Sequence, residues 1–211
     1  IVARTFKHRA LEELAANCSI PVINGLSDYL HPCQALSDVF TLTEKWGDVR
    51  GKKLVYVGDG NNTCHSLVHV AARLGAHMTV CSPEGYEPNA RVISEAMLMA
   101  RESGSDIRIL NDPETAVRDA DAVYTDVWAS MGQEDEIEER SSIFNDYRVD
   151  EEMMAWAKPD ALFMHCLPAH RGEEVTAPVI DGPNSIVYDI AENRLHVQKA
   201  VLVLLMRDKN A

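Results

Sequence analysis

Short apolar runs alternate with longer segments of helical periodicity along the chain, the pattern of an α/β protein. Before residue 50 this pattern predicts a strand at "IVARTF" (1–6), a helix at "HRALEELAANC" (8–18), a strand at "PVIN" (21–24) and a helix over 32–46 closed by Gly47. A second series then begins at "GKKLVYVGDGNN", with strand cores at 53–58, 77–81, 106–110, 122–127 and 161–166. Helices are predicted between them near 62–74, 88–103, 113–119 and 138–157. Parallel strands need crossovers of this kind, so the series predicts a doubly wound parallel sheet. "SIVYDI" (185–190) is predicted as an extended segment and 192–207 as a last helix. Its "AVLVLLM" stretch (200–206) is apolar nearly all round, which demands burial on every side.

The first 50 residues carry too few elements for a core of their own. The chain also opens without Met, in what reads as mid-strand. The first segment is therefore expected to be the tail of an amputated second α/β domain.

Composition narrows the partners. With 211 residues, 46% hydrophobic and 25% charged, the chain is globular in type. A net charge of −13 disfavours a nucleic-acid backbone or an anionic membrane as partner, because both require a concentrated basic surface. There is no apolar run of membrane-spanning length and no signal-peptide architecture at the start. Five cysteines without paired spacing read as reduced thiols of a cytoplasmic protein.

Ligands of open parallel sheets bind beyond the carboxyl ends of the strands, and here those ends are rich in polar residues. Strand 53–58 runs into "GDGNNT", strand 122–127 into "TDVWASMGQE" and strand 161–166 into "HCLPAHRGEE". Gly58-x-Gly60 begins a dinucleotide fingerprint and so admits a nucleotide-dependent oxidoreductase, but Thr63 breaks the third position. Asn61 and Asn62 suit an amino-acid ligand better. Asp126 is either the partner of an ammonium group or a turn cap. Cys166 is a nucleophile, a polar ligand group or a small buried hydrophobe. A metal site from His165, Cys166 and His170 fits no common zinc spacing. His31 and Gln34 share one side of the first turn of their helix, where Pro32 fixes the geometry and the free N–H groups favour an anion or a polarised carbonyl.

Taken in order, "HPCQ", "DGNN", "DVWASMGQE" and "HCLPAHRGEEV" resemble the ornithine carbamoyltransferase family over essentially the whole chain. His-Pro-x-Gln is shared with aspartate carbamoyltransferases, whereas Ser130-Met131-Gly132 and His165-Cys166-Leu167-Pro168 resemble the ornithine branch. The resemblance implies transfer of a carbamoyl group from carbamoyl phosphate to the δ-amino group of L-ornithine, without metal or organic cofactor, by a homotrimer with active sites at subunit boundaries. It implies that Arg4, His31, Gln34, Cys166, Leu167 and Arg194 hold carbamoyl phosphate, with Arg4, His31 and Cys166 as the catalytic set. Asn62, Asp126, Ser130 and Met131 would hold ornithine. On the same basis residues 1–50 would be the C-terminal part of the carbamoyl phosphate domain and its exit helix, 51–190 the ornithine domain, and 191–211 a helix returning to the first domain. The family's Ser-x-Arg-Thr-Arg phosphate loop does not occur, and the chain is expected to lack the N-terminal part of the carbamoyl phosphate domain. A non-catalytic binding module derived from this fold stands as a further alternative.

Overall fold

In a computed structural model, residues 1–129 and 136–207 are described. The N-terminal unit comprises β1 (Val2–Arg4), α1 (His8–Ala16), β2 (Ile23–Leu26) and α2 (Pro32–Trp46). Strands β1 and β2 pair in parallel, Val2 opposite Ile23, with α1 as the crossover. Helix α2 begins at Pro32 and ends at Gly47, whose φ of 79° suits a residue without Cβ and whose N–H closes on the Thr43 carbonyl.

The larger unit comprises β3 (Lys53–Val57), α3 (Asn62–Leu74), β4 (His77–Cys81), α4 (Ala90–Ser103), β5 (Ile107–Leu110), α5 (Pro113–Val117) and β6 (Ala122–Thr125). It continues with α6 (Ile137–Phe144), α7 (Glu151–Trp156), β7 (Leu162–His165), α8 (Ala177–Ile180) and α9 (Val187–Met206). Its sheet has the order β5-β4-β3-β6-β7 and all pairings are parallel. Chain direction across the sheet reverses between β3 and β6, so the loops leaving these two strands part and open a crevice.

Strand residues alternate between two cores. Leu54 and Tyr56 pack with Met78, Tyr124 and helices α3 and α4 on one face. Val55 and Val57 pack with Val123, Phe163 and helices α5, α7 and α8 on the other. Burial on both faces explains why the strands read as continuous apolar runs. Fully buried Leu42 of α2 belongs to the first of these cores, and α2 packs against α3 and α9.

This corrects the expected fold class at the N-terminus. Residues 1–50 are no leftover tail: they form a crossover unit with its own parallel sheet, and its exit helix is built into the main core. The fold is two α/β units, each with a parallel sheet. Two further differences are local. The helix predicted over 138–157 is interrupted by a 3-10 turn at Asn145–Tyr147, after which Asp150 caps α7 by accepting from the Met153 N–H. The predicted extended segment at 185–190 shrinks to one bridge between Phe163 and Ser185, and α9 starts at Val187. Ile186, Val187 and Ile190 are buried there, a helical spacing that β-branched composition conceals. The all-round burial expected of "AVLVLLM" is not found: Val203, Leu204 and Met206 are 64%, 61% and 76% exposed.

Candidate active site

A cleft of about 670 Å³ lies at the reversal point, between the N-terminal unit and the carboxyl ends of β3, β6 and β7. Its walls include Arg4, His31, Asn62, Asp126, Cys166, Leu167 and Arg194. The structure thus gathers these predicted residues from six separate stretches of chain. Gln34 stands directly behind them, fully buried on α2. Ser130 and Met131 lie outside the described residues.

His31 is the residue before α2, and its side chain makes no cap bond. Its backbone N–H instead donates to the Ser66 hydroxyl of α3 at 2.7 Å, which ties the two units together and frees the ring. Burial, then the Arg194 and Arg4 cations, push its pKa down to about 4, against a smaller opposing pull from Asp126. The ring is therefore neutral at pH 7. Its buried Nδ1 makes no hydrogen bond among the described residues.

Asn61, not Asn62, caps α3: its side-chain oxygen accepts from the Thr63 and Cys64 N–H groups. Its amide nitrogen donates to Asp126 at 2.9 Å. Asn62 turns the other way and donates to the Ser27 carbonyl of the N-terminal unit at 2.6 Å. Gly60 between β3 and α3 admits no side chain, because a Cβ would stand 2.2 Å from the Pro88 nitrogen. With the first free N–H groups of α3 already engaged by Asn61, the helix start does not offer the open anion cradle a dinucleotide needs.

Asp126, at the end of β6 and 6% exposed, is held by three donors: its own neighbour's Val127 N–H, the Asn61 amide and the Cys166 thiol at 2.9 Å. Burial and the facing Asp126 carboxylate push the Cys166 thiol well above its ordinary range. The sulfur is a thiol at neutral pH, a donor and not a nucleophile. Beside it, Leu167 has φ of 57° and precedes a cis peptide to Pro168. The Leu167 N–H donates to His165 Nδ1 at 2.8 Å, and the other ring nitrogen of His165 faces buried Glu174 at 3.4 Å.

Several site residues were invisible to sequence reading. Arg140 of α6 reaches back to Asp59 at 3.0 Å and to the Trp128 carbonyl at 2.9 Å, bracing the loops after β3 and β6. Asp38 of α2 accepts from the Gln34 amide at 2.9 Å. These pairs connect distant or buried positions, and nothing in local spacing marks them. Among the described residues two groups bring possible metal-ligand atoms within 4.8 Å of one another, Asp126 with His165 and Cys166, and His170 with Glu173 and Glu174. In the first group the Cys166 thiol is engaged with Asp126 and His165 Nδ1 accepts from the Leu167 N–H.

Residues 50–205 match the sequence model of the Asp/Orn binding domain of aspartate/ornithine carbamoyltransferase, and residues 1–44 match that of its carbamoyl-P binding domain. The chain belongs to the aspartate/ornithine carbamoyltransferase family. The match over 1–44 overturns the expectation of a chain reduced to a remnant on its N-terminal side, since these residues are recognised as carbamoyl-P binding domain in their own right. The chain is 60% identical over 206 residues to an ornithine carbamoyltransferase of Thermococcus kodakarensis, covering 98% of this chain and 65% of that one. It thus spans just under two thirds of that relative's length. The solved ornithine carbamoyltransferase of Pyrococcus furiosus is similar with a TM-score of 0.95 and 59% identity, over 98% of this chain and 66% of the other. An acetylornithine transcarbamylase complexed with acetylcitrulline is similar at 32% identity and a TM-score of 0.88, over 99% of this chain and 68% of that one.

Proposed function

We propose that this protein transfers the carbamoyl group of carbamoyl phosphate to the δ-amino group of L-ornithine, giving L-citrulline and phosphate. The observation that carries the reading is the meeting of Arg4, neutral His31 and Arg194 with Asp126 and Cys166 in one cleft at the sheet's reversal point. The first set suits a phosphate-bearing carbonyl compound and the second an amine.

In this reading Arg4, His31, Gln34, Arg194 and the Cys166–Leu167 turn hold carbamoyl phosphate, while Asn62, Asp126, Ser130 and Met131 hold ornithine. The neutral δ-amine attacks the carbamoyl carbon. Charge then grows on the carbonyl oxygen, where preorganised donors from Arg4 and His31 stabilise it. As the C–O bond to phosphate breaks, phosphate departs with that electron pair and takes up the proton that the nitrogen sheds. Asp126 pairs with an ammonium group, and Asn62 exchanges its bond to Ser27 for the α-carboxylate. Holding two substrates in line supplies much of the remaining acceleration. No covalent enzyme intermediate is needed.

Residues 1–50 serve carbamoyl phosphate, 51–190 serve ornithine and the C-terminal helix links the two. The resemblance also supports a homotrimer in the cytoplasm; no described helix is long and apolar enough to cross a membrane. The natural full-length chain, supplied with carbamoyl phosphate and L-ornithine, is expected to release citrulline and phosphate in equal amounts and to sediment as a trimer. Absence of citrulline with both substrates saturating overturns the activity, and a monomer overturns the assembly.

A further inference from the structure

We propose that Asp38 is a positioning residue for the carbamoyl phosphate side of the cleft, acting through Gln34 to fix the guanidinium of Arg194. The inference rests on the carbamoyltransferase reading above.

Asp38 lies one turn beyond Gln34 on α2 and is fully buried. The Gln34 amide has two ends of opposite character. Its nitrogen donates to Asp38 Oδ1 at 2.9 Å, and its oxygen accepts from Arg194 Nη1 of α9. A guanidinium only donates, and Asp38 Oδ1 accepts whether the group is ionised or carries its proton on Oδ2, so the two neighbours force the same amide orientation. Gln198, one turn further along α9 with its amide oriented by the hydrogen-bond network, accepts from Arg194 Nε at 2.9 Å and Nη2 at 2.8 Å. Arg194 is thereby gripped from two helices, and its remaining N–H bonds are left for the cleft it lines.

The placement of Asp38 is costly for a carboxyl group, although Tyr124 and Arg194 stand close by. Its Oδ2 makes no hydrogen bond among the described residues, and its α2 neighbours Val39 and Leu42 are buried core. An apolar side chain at 38 would be the cheaper choice for stability. What the carboxylate supplies, and an apolar group cannot, is an acceptor that prevents the Gln34 amide from turning its N–H groups toward Arg194. Local rules broken without structural return are expected where a site is being held in shape.

Two variants of the full chain test this, with folding checked by near-ultraviolet circular dichroism. Asp38→Leu is expected to raise KM and Kd for carbamoyl phosphate about tenfold, the equivalent of one lost hydrogen bond, with kcat changed by less than about threefold. In a Gln34→Met background the same substitution should have no further effect, because there is no amide left to orient. The second test does not depend on leucine being tolerated. Gln34→Glu alone sets two carboxylates against each other and should weaken carbamoyl phosphate binding by about tenfold or more. Adding Asp38→Asn rebuilds an amide–carboxylate pair with the roles exchanged, and should recover at least about fivefold of that loss. Additive losses in the first pair, or no recovery in the second, overturn the inference. If the unsubstituted protein itself binds no carbamoyl phosphate in calorimetric titration, the parent reading fails, and the inference with it. Binding by the unsubstituted protein together with unordered variant effects removes the inference alone.

Discussion

Two buried aspartates, Asp126 lining the cleft and Asp38 behind it on α2, are treated in opposite ways. Asp126, on the sheet side, receives three donors, from Val127, Asn61 and Cys166. Asp38, on the helix side, receives the Gln34 amide, with the Tyr124 hydroxyl close by, and burial pushes its pKa up to about 7 against the lowering pull of Gln34, Arg194 and Tyr124. The difference teaches that burial alone does not define a carboxylate's role. A carboxyl group met by several donors at the cleft wall is placed to meet a substrate, whereas one met chiefly by a neighbouring amide is placed to order that amide.

The largest effect that sharpens this contrast is expected at Asp126. Asp126→Asn keeps the shape but removes the charge, and places an amide nitrogen where Asn61 or Cys166 needs an acceptor. A charge-assisted contact is worth roughly 1.5–3 kcal/mol, so ornithine affinity should fall by about one to two decades. Carbamoyl phosphate affinity should fall much less. Equal losses for the two substrates in calorimetric titrations would remove the assignment of Asp126 to the amine side.

That contrast was half legible in the sequence. Asp126 follows a run of apolar residues that could only be a strand, so its place at a ligand-binding edge was readable. Asp38 sits in "QALSDVF", where a lone acidic residue ordinarily marks a solvated face, and it is the packing of α2 between its neighbours, α9 and α3 among them, that buries it. The strands of the main sheet were legible because burial on both faces leaves uninterrupted apolar runs. The break between α6 and α7 was not, because it depends on Val149 bridging to Val175 far along the chain. Arg140 was missed for a similar reason: in an acidic segment it reads as surface, yet it is 6% exposed with Tyr86 beneath its guanidinium and Asp59 at its tip. The N-terminal unit was misjudged by counting elements, which overlooks that α2 shares the core of its neighbour.

A second test uses pH. His31 has a folded-state pKa of about 4, below its ordinary value of 6.5. Its contribution to stability is present above pH 6.5 and is lost as pH falls through about 4. Asp38 runs the other way: with a folded-state value of about 7 against 3.8, its contribution is present below pH 3.8 and lost as pH rises through 7. The charged groups facing Asp38 are Arg194 of α9 and Asp126 beyond β6, with Tyr124 of β6 close by. Relative to the unsubstituted protein, Asp38→Asn should therefore gain most at pH 8 and least at pH 4. His31→Gln should show the reverse. Urea unfolding across this range is expected to give opposite slopes, each spanning up to about 3–4 kcal/mol. Parallel slopes would mean that the two groups do not titrate as their surroundings dictate.

The smallest effect is expected at Cys166, although it lies at the centre of the site. Its thiol donates to Asp126 and is held protonated by burial and by that same carboxylate, so at neutral pH it has no thiolate to offer a carbamoyl or phosphoryl group. Serine keeps a donor of similar reach, and its hydroxyl can hold Asp126 in place. It loses only the larger, more polarisable atom that packs against the neighbouring apolar core. Cys166→Ser should therefore retain turnover within about tenfold of the unsubstituted protein, a loss of about 1.4 kcal/mol in the transition state. Cys166→Ala, which leaves one lone pair of Asp126 unanswered, should be the more damaging of the two and should weaken ornithine more than carbamoyl phosphate. Mass spectrometry of the enzyme quenched during turnover should show no carbamoylated or phosphorylated cysteine. A trapped adduct at Cys166, or an inactive serine variant that still binds both substrates, would make the thiol a nucleophile and would cast Asp126 as its activating partner.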